Sequence, residues 1–201
     1  MDKLWIAVDL DDVILDFAGQ LRHAIEVEYD VTLPEFNKWE ISELMNPVIG
    51  RSWWDWLRAR PGIWAAAKPV RGALGSLGRL RLEGHYLEIL TSKPDWAELS
   101  TWQWIGKWHP PVQRVTIVNL KQERKVDVSD ADLLIDDKPQ NCIEWAEDGR
   151  PALCFTQPYN RDLKLPVGVM RVDNWKAIMS VLEGPYLEWP ERVRAQEAGM
   201  V

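Results

Sequence analysis

Short apolar runs that stop at polar residues recur along the chain. Residues 4–8 lead into Asp9, 86–90 into Thr91 and Ser92, 115–118 into Asn119, and 133–135 into Asp136 and Asp137. Two further runs cover 152–155 and 169–172. Each is too short for a helix and lacks the alternation of a one-sided strand. They therefore predict strands buried on both faces, as in a parallel sheet. Between them the pattern turns helical. Leu74, Leu77 and Leu80 share one helix face within 72–83. Residues 95–107 follow Pro94 and a candidate capping Asp95, 139–148 begin at Pro139, and 174–183 follow a candidate capping Asp173. This alternation predicts an α/β fold, a doubly wound and mostly parallel sheet.

One segment breaks the alternation. Residues 17–29 and 51–60 read as helices, Pro34, Pro47, Pro61 and Pro69 punctuate the stretch, and no strand pattern appears. The expected organisation is a core of residues 1–17 and 71–183, a small α-helical cap of 18–70 inserted after the first strand, and a C-terminal tail of 184–201.

The candidate chemistry stands at the ends of the predicted strands. In an extended chain Asp9 and Asp11 face the same way, at the strand end where open α/β sheets bind ligands. Asp136 and Asp137 end another strand, and a parallel sheet brings both pairs to one edge. Carboxylates so close do not all ionise without a counter-ion. A hard cation held by oxygen, Mg2+ above all, resolves the repulsion. Thr91 and Ser92 could hold a phosphate oxygen, and Lys125, with Lys121 as a rival, could neutralise phosphate charge.

Other motifs are missing. The glycines at 72, 75 and 78 do not form a dinucleotide fingerprint, and the sequence has no Walker A loop and no GxSxG elbow. His23, His85 and His109 are scattered, and His85 and His109 are expected at the surface. Cys142 and Cys154 fit neither zinc nor redox spacing and are expected as buried thiols of a cytoplasmic protein.

The formal charge of −7 disfavours duplex nucleic acid, though a bound cation still allows a small anionic substrate. The sequence holds no run resembling a signal peptide or membrane span. The 13 tryptophans are too many for a core of this size alone. Some should line a groove able to stack bases, which keeps a single-strand binder in view, although the acidic balance opposes it.

The ordered pieces DLDDV, LTS, a lysine and LLIDD resemble the four motifs of the haloacid-dehalogenase superfamily. VDLDDVILDF at 8–17, PGIW at 61–64, PVRGA at 69–73, ILTSKP at 89–94, KVDVSDADLLIDDKPQN at 125–141, FTQPYNR at 155–161 and RVDNW at 171–175 are similar to the 5′(3′)-deoxyribonucleotidase family. The resemblance spans residues 4 to 180 and implies roles. Asp9 would attack phosphorus and form an aspartyl-phosphate, and Asp11 would act as acid and then base. Asp9, the backbone carbonyl of Asp11 and one of Asp136 and Asp137, with a lean to Asp137, would bind Mg2+. Thr91, Ser92 and Lys125 would hold the phosphoryl group. Phe17 and Trp64 match pocket positions, and Trp53 and Trp54 are added here for their stacking faces. Asp12 stands where many relatives carry glycine, an extra carboxylate that would loosen or alter the turn.

The expected protein is a phosphomonoesterase, monomeric or homodimeric, acting on a small phosphate ester of the (deoxy)nucleoside monophosphate kind. The alternatives are a phosphatase of sugar phosphates and a catalytically silent nucleotide-binding module.

Overall fold

The computed structural model describes residues 3–119 and 123–183; the expected tail of 184–201 and Lys121 lie outside the described residues. Six parallel strands, β1 (Trp5–Val8), β2 (Tyr86–Lys93), β3 (Arg114–Asn119), β4 (Leu133–Asp136), β5 (Ala152–Phe155) and β6 (Val169–Val172), form one sheet in the order β3-β2-β1-β4-β5-β6. The chain runs outward from β1 through β2 to β3, then returns to lay β4 on the free side of β1. This reversal opens a crevice at the carboxyl ends of β1 and β4. Val8 pairs with Ile135, so Asp9 and Asp136 come level at its floor.

The period-2 pattern sorts side chains to two cores. Ile6, Val8, Leu87, Ile89, Ile135, Leu153 and Phe155 join one cluster, and Ala7, Leu90, Leu134, Ala152 and Cys154 join the other. Packing on both faces is what makes these strands continuously apolar. Helices α5 (Ala73–Leu82), α6 (Glu98–Trp108), α8 (Pro139–Glu147) and α9 (Trp175–Leu182) follow the predicted helical segments closely. Leu77 and Leu80 are fully buried on α5.

Between β1 and α5 the described chain is helical, with α1 (Phe17–Tyr29), α2 (Ser42–Ile49), α3 (Trp53–Arg58) and α4 (Gly62–Ala66). The helix expected over 51–60 is shorter and gives way to α4 after Pro61. Helix α2 has no counterpart in the expected pattern because Pro47 reads as a breaker. It forms nonetheless, with Met45 and Ile49 four apart on its buried face. A single turn, α7 (Lys125–Val128), was also not expected.

Local signals shift in three places. Strand β2 continues past Leu90 to Lys93 because Thr91, Ser92 and Lys93 pair with Ile117, Val118 and Asn119. Asp95 does not cap α6; its carboxylate accepts from Asn119 Nδ2 at 2.8 Å. Asn174, not Asp173, caps α9 by accepting from Ala177 N–H.

The expectation of a surface His85 is corrected: it is buried, and its Nδ1 accepts the Leu4 amide at 3.1 Å, supplying a partner at the start of the sheet. His109 is exposed. Cys142 and Cys154 are free, buried thiols. Among the described residues no helix is long and apolar enough to cross a membrane.

Candidate active site

Asp9 directly follows β1 and its amide donates to Ile135 O at 2.8 Å, tying it to β4. The chain then curls tightly, with the amides of Ile14 and Leu15 both donating to Leu10 O. Asp12 takes the left-handed conformation, φ 57°, that glycine reaches without strain and aspartate tolerates better than most residues. Its carboxylate accepts the Ala18 amide at 2.8 Å. The extra carboxylate thus fastens the loop to the first turn of α1. Burial, aided by Asp11, Asp16 and Asp9, pushes the Asp12 carboxyl up to about 8.

Lys125 holds the floor of the crevice. Its ammonium donates to Asp9 Oδ1 and Asp136 Oδ2, each at 2.6 Å, and the residue is 4% exposed. Burial opposes the charge, but the two carboxylates outweigh it and drive the Lys125 ammonium up beyond the ordinary lysine range. Asp136 also accepts the Lys138 amide on Oδ1 and the Asn141 side chain on Oδ2. Asp137 receives the Tyr159 hydroxyl on Oδ2, while among the described residues its Oδ1 accepts no hydrogen bond. Burial raises the carboxyls of both Asp136 and Asp137, against the opposing pull of Lys125 on Asp136.

Asp9, Asp136 and Asp137 offer carboxylate oxygens within 4.8 Å of one another, all three buried. Three carboxylates offering hard oxygens so close together fit a divalent cation of the magnesium kind. Side chains from further along the chain fix this arrangement. Asn160 donates to Asp137 O and Phe155 O, Gln157 to Asp12 O, and Trp175 to Val13 O.

Asp11 stands apart from that cluster. Lys93 Nζ lies 2.5 Å from its Oδ1 and Trp64 Nε1 lies 3.1 Å from its Oδ2. Burial raises the Asp11 carboxyl, Lys93 works against that, and the nearby Asp9 charge adds to it.

These groups face a cavity of about 250 Å³ whose other lining is largely aromatic. Phe17 stacks on Trp64 at 4.7 Å and 14°. Trp64 meets the edge of Trp96, and Trp96 meets Trp54 in turn. Trp53 is held by its indole N–H on Ser42 Oγ. Trp39, from the segment between α1 and α2, meets Tyr159 edge-on at the mouth.

Of the residues singled out from sequence, Asp9, Asp11, Asp136, Asp137, Ser92, Lys125, Phe17, Trp53, Trp54 and Trp64 line this cavity. Thr91 does not; it is enclosed within β2 one position before Ser92. Lys93, Asn141, Tyr159 and Trp39 line it without having been singled out. For Lys93, Asn141 and Tyr159 the one available signal was their place inside the motifs ILTSKP, KPQN and FTQPYNR; Trp39 lies in none of them.

The family model described as 5′ nucleotidase, deoxy (pyrimidine), cytosolic type C protein matches residues 3–183. A protein of Chlorobaculum tepidum, provisionally named a 5′(3′)-deoxyribonucleotidase, is 25% identical over 193 residues, covering 90% of this chain and 91% of its own. Among solved structures, a provisionally assigned HAD-hydrolase from Bacillus subtilis bound to magnesium superposes with a TM-score of 0.64 at 12% identity, covering 92% of this chain and all of that one. A provisionally assigned phosphoglycolate phosphatase from Lactobacillus delbrueckii superposes with a TM-score of 0.63 at 13% identity and the same coverage. These structural likenesses speak to the fold.

Proposed function

The chain belongs to the family of 5′ nucleotidases, deoxy (pyrimidine), cytosolic type C, and is a phosphoric monoester hydrolase of the haloacid-dehalogenase class; on that premise we propose that it hydrolyses deoxyribonucleoside monophosphates through an aspartyl-phosphate, with Mg2+ as its cofactor. The observation that carries this reading is the junction of two environments. Asp9 and Asp11 stand at one end of a cavity whose lining also includes Phe17, Phe36, Trp39, Trp53, Trp54 and Trp64. Phosphate chemistry at one end and stacking faces at the other suit a nucleotide.

In the proposed first step a carboxylate oxygen of Asp9 attacks phosphorus and the bond to the ester oxygen breaks. The ester oxygen takes a proton from Asp11, leaving a phosphoaspartate. In the second step water attacks phosphorus, its proton passes to Asp11, and the bond to Asp9 breaks to release phosphate. Ser92 and Lys125 hold the phosphoryl oxygens. Asp9, the backbone carbonyl of Asp11 and one of Asp136 and Asp137 would hold Mg2+, and Asp137 is favoured over Asp136 because it keeps an oxygen free of protein donors. When bound, the cation supplies charge stabilisation for the transferring phosphoryl oxygens. The rings of Phe17, Trp64, Trp53 and Trp54 exclude water and receive the base.

The test is phosphate release from a panel of nucleoside monophosphates, deoxynucleoside monophosphates and sugar phosphates, with magnesium and with EDTA, using wild type and Asp9→Asn. Turnover that needs magnesium, prefers deoxynucleotides and vanishes in Asp9→Asn is expected. Equal turnover of sugar phosphates would overturn the assigned substrate. Full activity in Asp9→Asn would overturn the mechanism.

A further inference from the structure

Lys93 is a buried charge that the chemistry above leaves without a task. It ends β2, and its side chain is 1% exposed. Taking an ammonium out of water is costly, and a strand end gains nothing from that charge. Lys125, the other buried lysine of the cavity, is engaged by two carboxylates. Lys93 differs. An ammonium carries three N–H donors, yet among the described residues Lys93 meets one acceptor, Asp11 Oδ1 at 2.5 Å. The face of Trp64 lies 5.1 Å away, and Lys93 lines the cavity.

The position of this spare donor capacity is specific. Trp64 Nε1 covers Asp11 Oδ2, so Lys93 and Trp64 between them engage both oxygens of the carboxyl. An oxygen that approaches Asp11 on its Oδ1 side comes beside the Lys93 ammonium. If Asp11 is the group that protonates the departing ester oxygen, Lys93 stands next to that oxygen, whereas Lys125 meets Asp9 and Asp136.

We propose that Lys93 is a catalytic residue of the leaving-group side, donating a hydrogen bond to the bridging ester oxygen as the phosphorus–oxygen bond breaks. This rests on the phosphomonoesterase reading. The electron pair of the breaking bond passes to the ester oxygen, the proton comes from Asp11, and Lys93 keeps its own protons while stabilising the developing charge.

The test varies the leaving group. A deoxyribonucleoside 5′-monophosphate departs as an alkoxide-like oxygen that needs stabilisation, whereas p-nitrophenyl phosphate departs as a phenolate that carries its charge unaided. Lys93→Met is expected to lose about 10- to 100-fold in kcat/KM on the nucleotide, the scale of a hydrogen bond from a charged donor. The loss on the aryl ester is expected to be at least several-fold smaller, and Lys93→Arg should recover part of the nucleotide activity. A disturbed fold would depress both esters alike, so equal losses, or no loss on either, overturn the proposal. Should Lys93→Met not fold by circular dichroism, Lys93→Gln carries the same comparison. Wild type inactive on both esters would instead overturn the phosphatase reading, and this inference with it.

Discussion

The indole N–H of Trp64 donates to Oδ2 of Asp11 across 3.1 Å, joining residues 53 positions apart. Trp64 comes from α4, in the helical stretch between β1 and α5, and Asp11 from the loop after β1. One side chain therefore serves both ends of the cavity, with its ring stacked on Phe17 and its nitrogen on the proposed acid. Trp64→Phe keeps the stacking and deletes the hydrogen bond. We expect kcat on a deoxynucleotide to fall about tenfold or more, the cost of a hydrogen bond to a charged group, while KM changes less. An unchanged kcat would remove Trp64 from any role through Asp11.

Magnesium should stabilise the fold through the buried acidic cluster. At a concentration a hundredfold above its dissociation constant a ligand adds about 2.7 kcal/mol, in a domain of this size a rise in Tm of roughly 5–10 °C. Asp137→Asn should lose most of that rise. Tyr159→Phe, which removes the hydroxyl donor to Asp137, should weaken metal affinity by about 10- to 100-fold. Calorimetric titration of the three proteins tests both, and unaltered affinity in Asp137→Asn would remove that residue from the ligand set.

The buried His85 should make stability depend on pH. Burial lowers its affinity for a proton below that of an ordinary histidine. The unfolded chain, titrating near the usual value of about 6.5, therefore binds more protons in mildly acidic solution. Stability is full above that value and falls as pH drops through it, by about 1.4 kcal/mol for each unit between the two states. His85→Asn, which can keep an acceptor for the Leu4 amide, should show a smaller loss between pH 7.5 and 5.5 in urea titrations. An identical loss in the variant would assign the dependence to other groups.

Trp175 should matter to stability well beyond its own helix. It is 1% exposed, and its indole N–H donates to Val13 O at 2.8 Å. Trp175→Phe leaves that carbonyl without its partner, at a cost of about 1–3 kcal/mol. Urea denaturation measures this, and a midpoint equal to wild type would show that the bond contributes nothing.

The sheet was legible in the sequence because strands packed on both faces must be continuously apolar. The acidic pairs were legible because they end two such runs. Lys93 was not, because the apolar run stops at Leu90, whereas pairing with β3 carries the strand three residues further. A lysine after an apolar run reads as solvated, and only the tertiary approach of Asp11 encloses it. His85 escaped for a related reason: a histidine beside a glycine reads as surface, but here its ring supplies the acceptor for an amide at the start of β1. Helix α2 was hidden by Pro47, whose penalty is outweighed by the burial of Met45 and Ile49. Tyr159 and Asn160 carry no periodicity, and their partners lie 22 and 23 positions away.

The tethers from Gln157, Asn160 and Trp175 to the carbonyls of Asp12, Asp137 and Val13 set an order in time as well as in space. On the ribosome, Asp9 and Asp11 emerge ahead of β2 to β6, but the groups that fasten their loop are translated more than 140 residues later. A nascent chain halted before Trp175 holds every proposed reactive side chain and lacks this last fastening. Birth of a competent site is thereby deferred until all six strands behind it have been made.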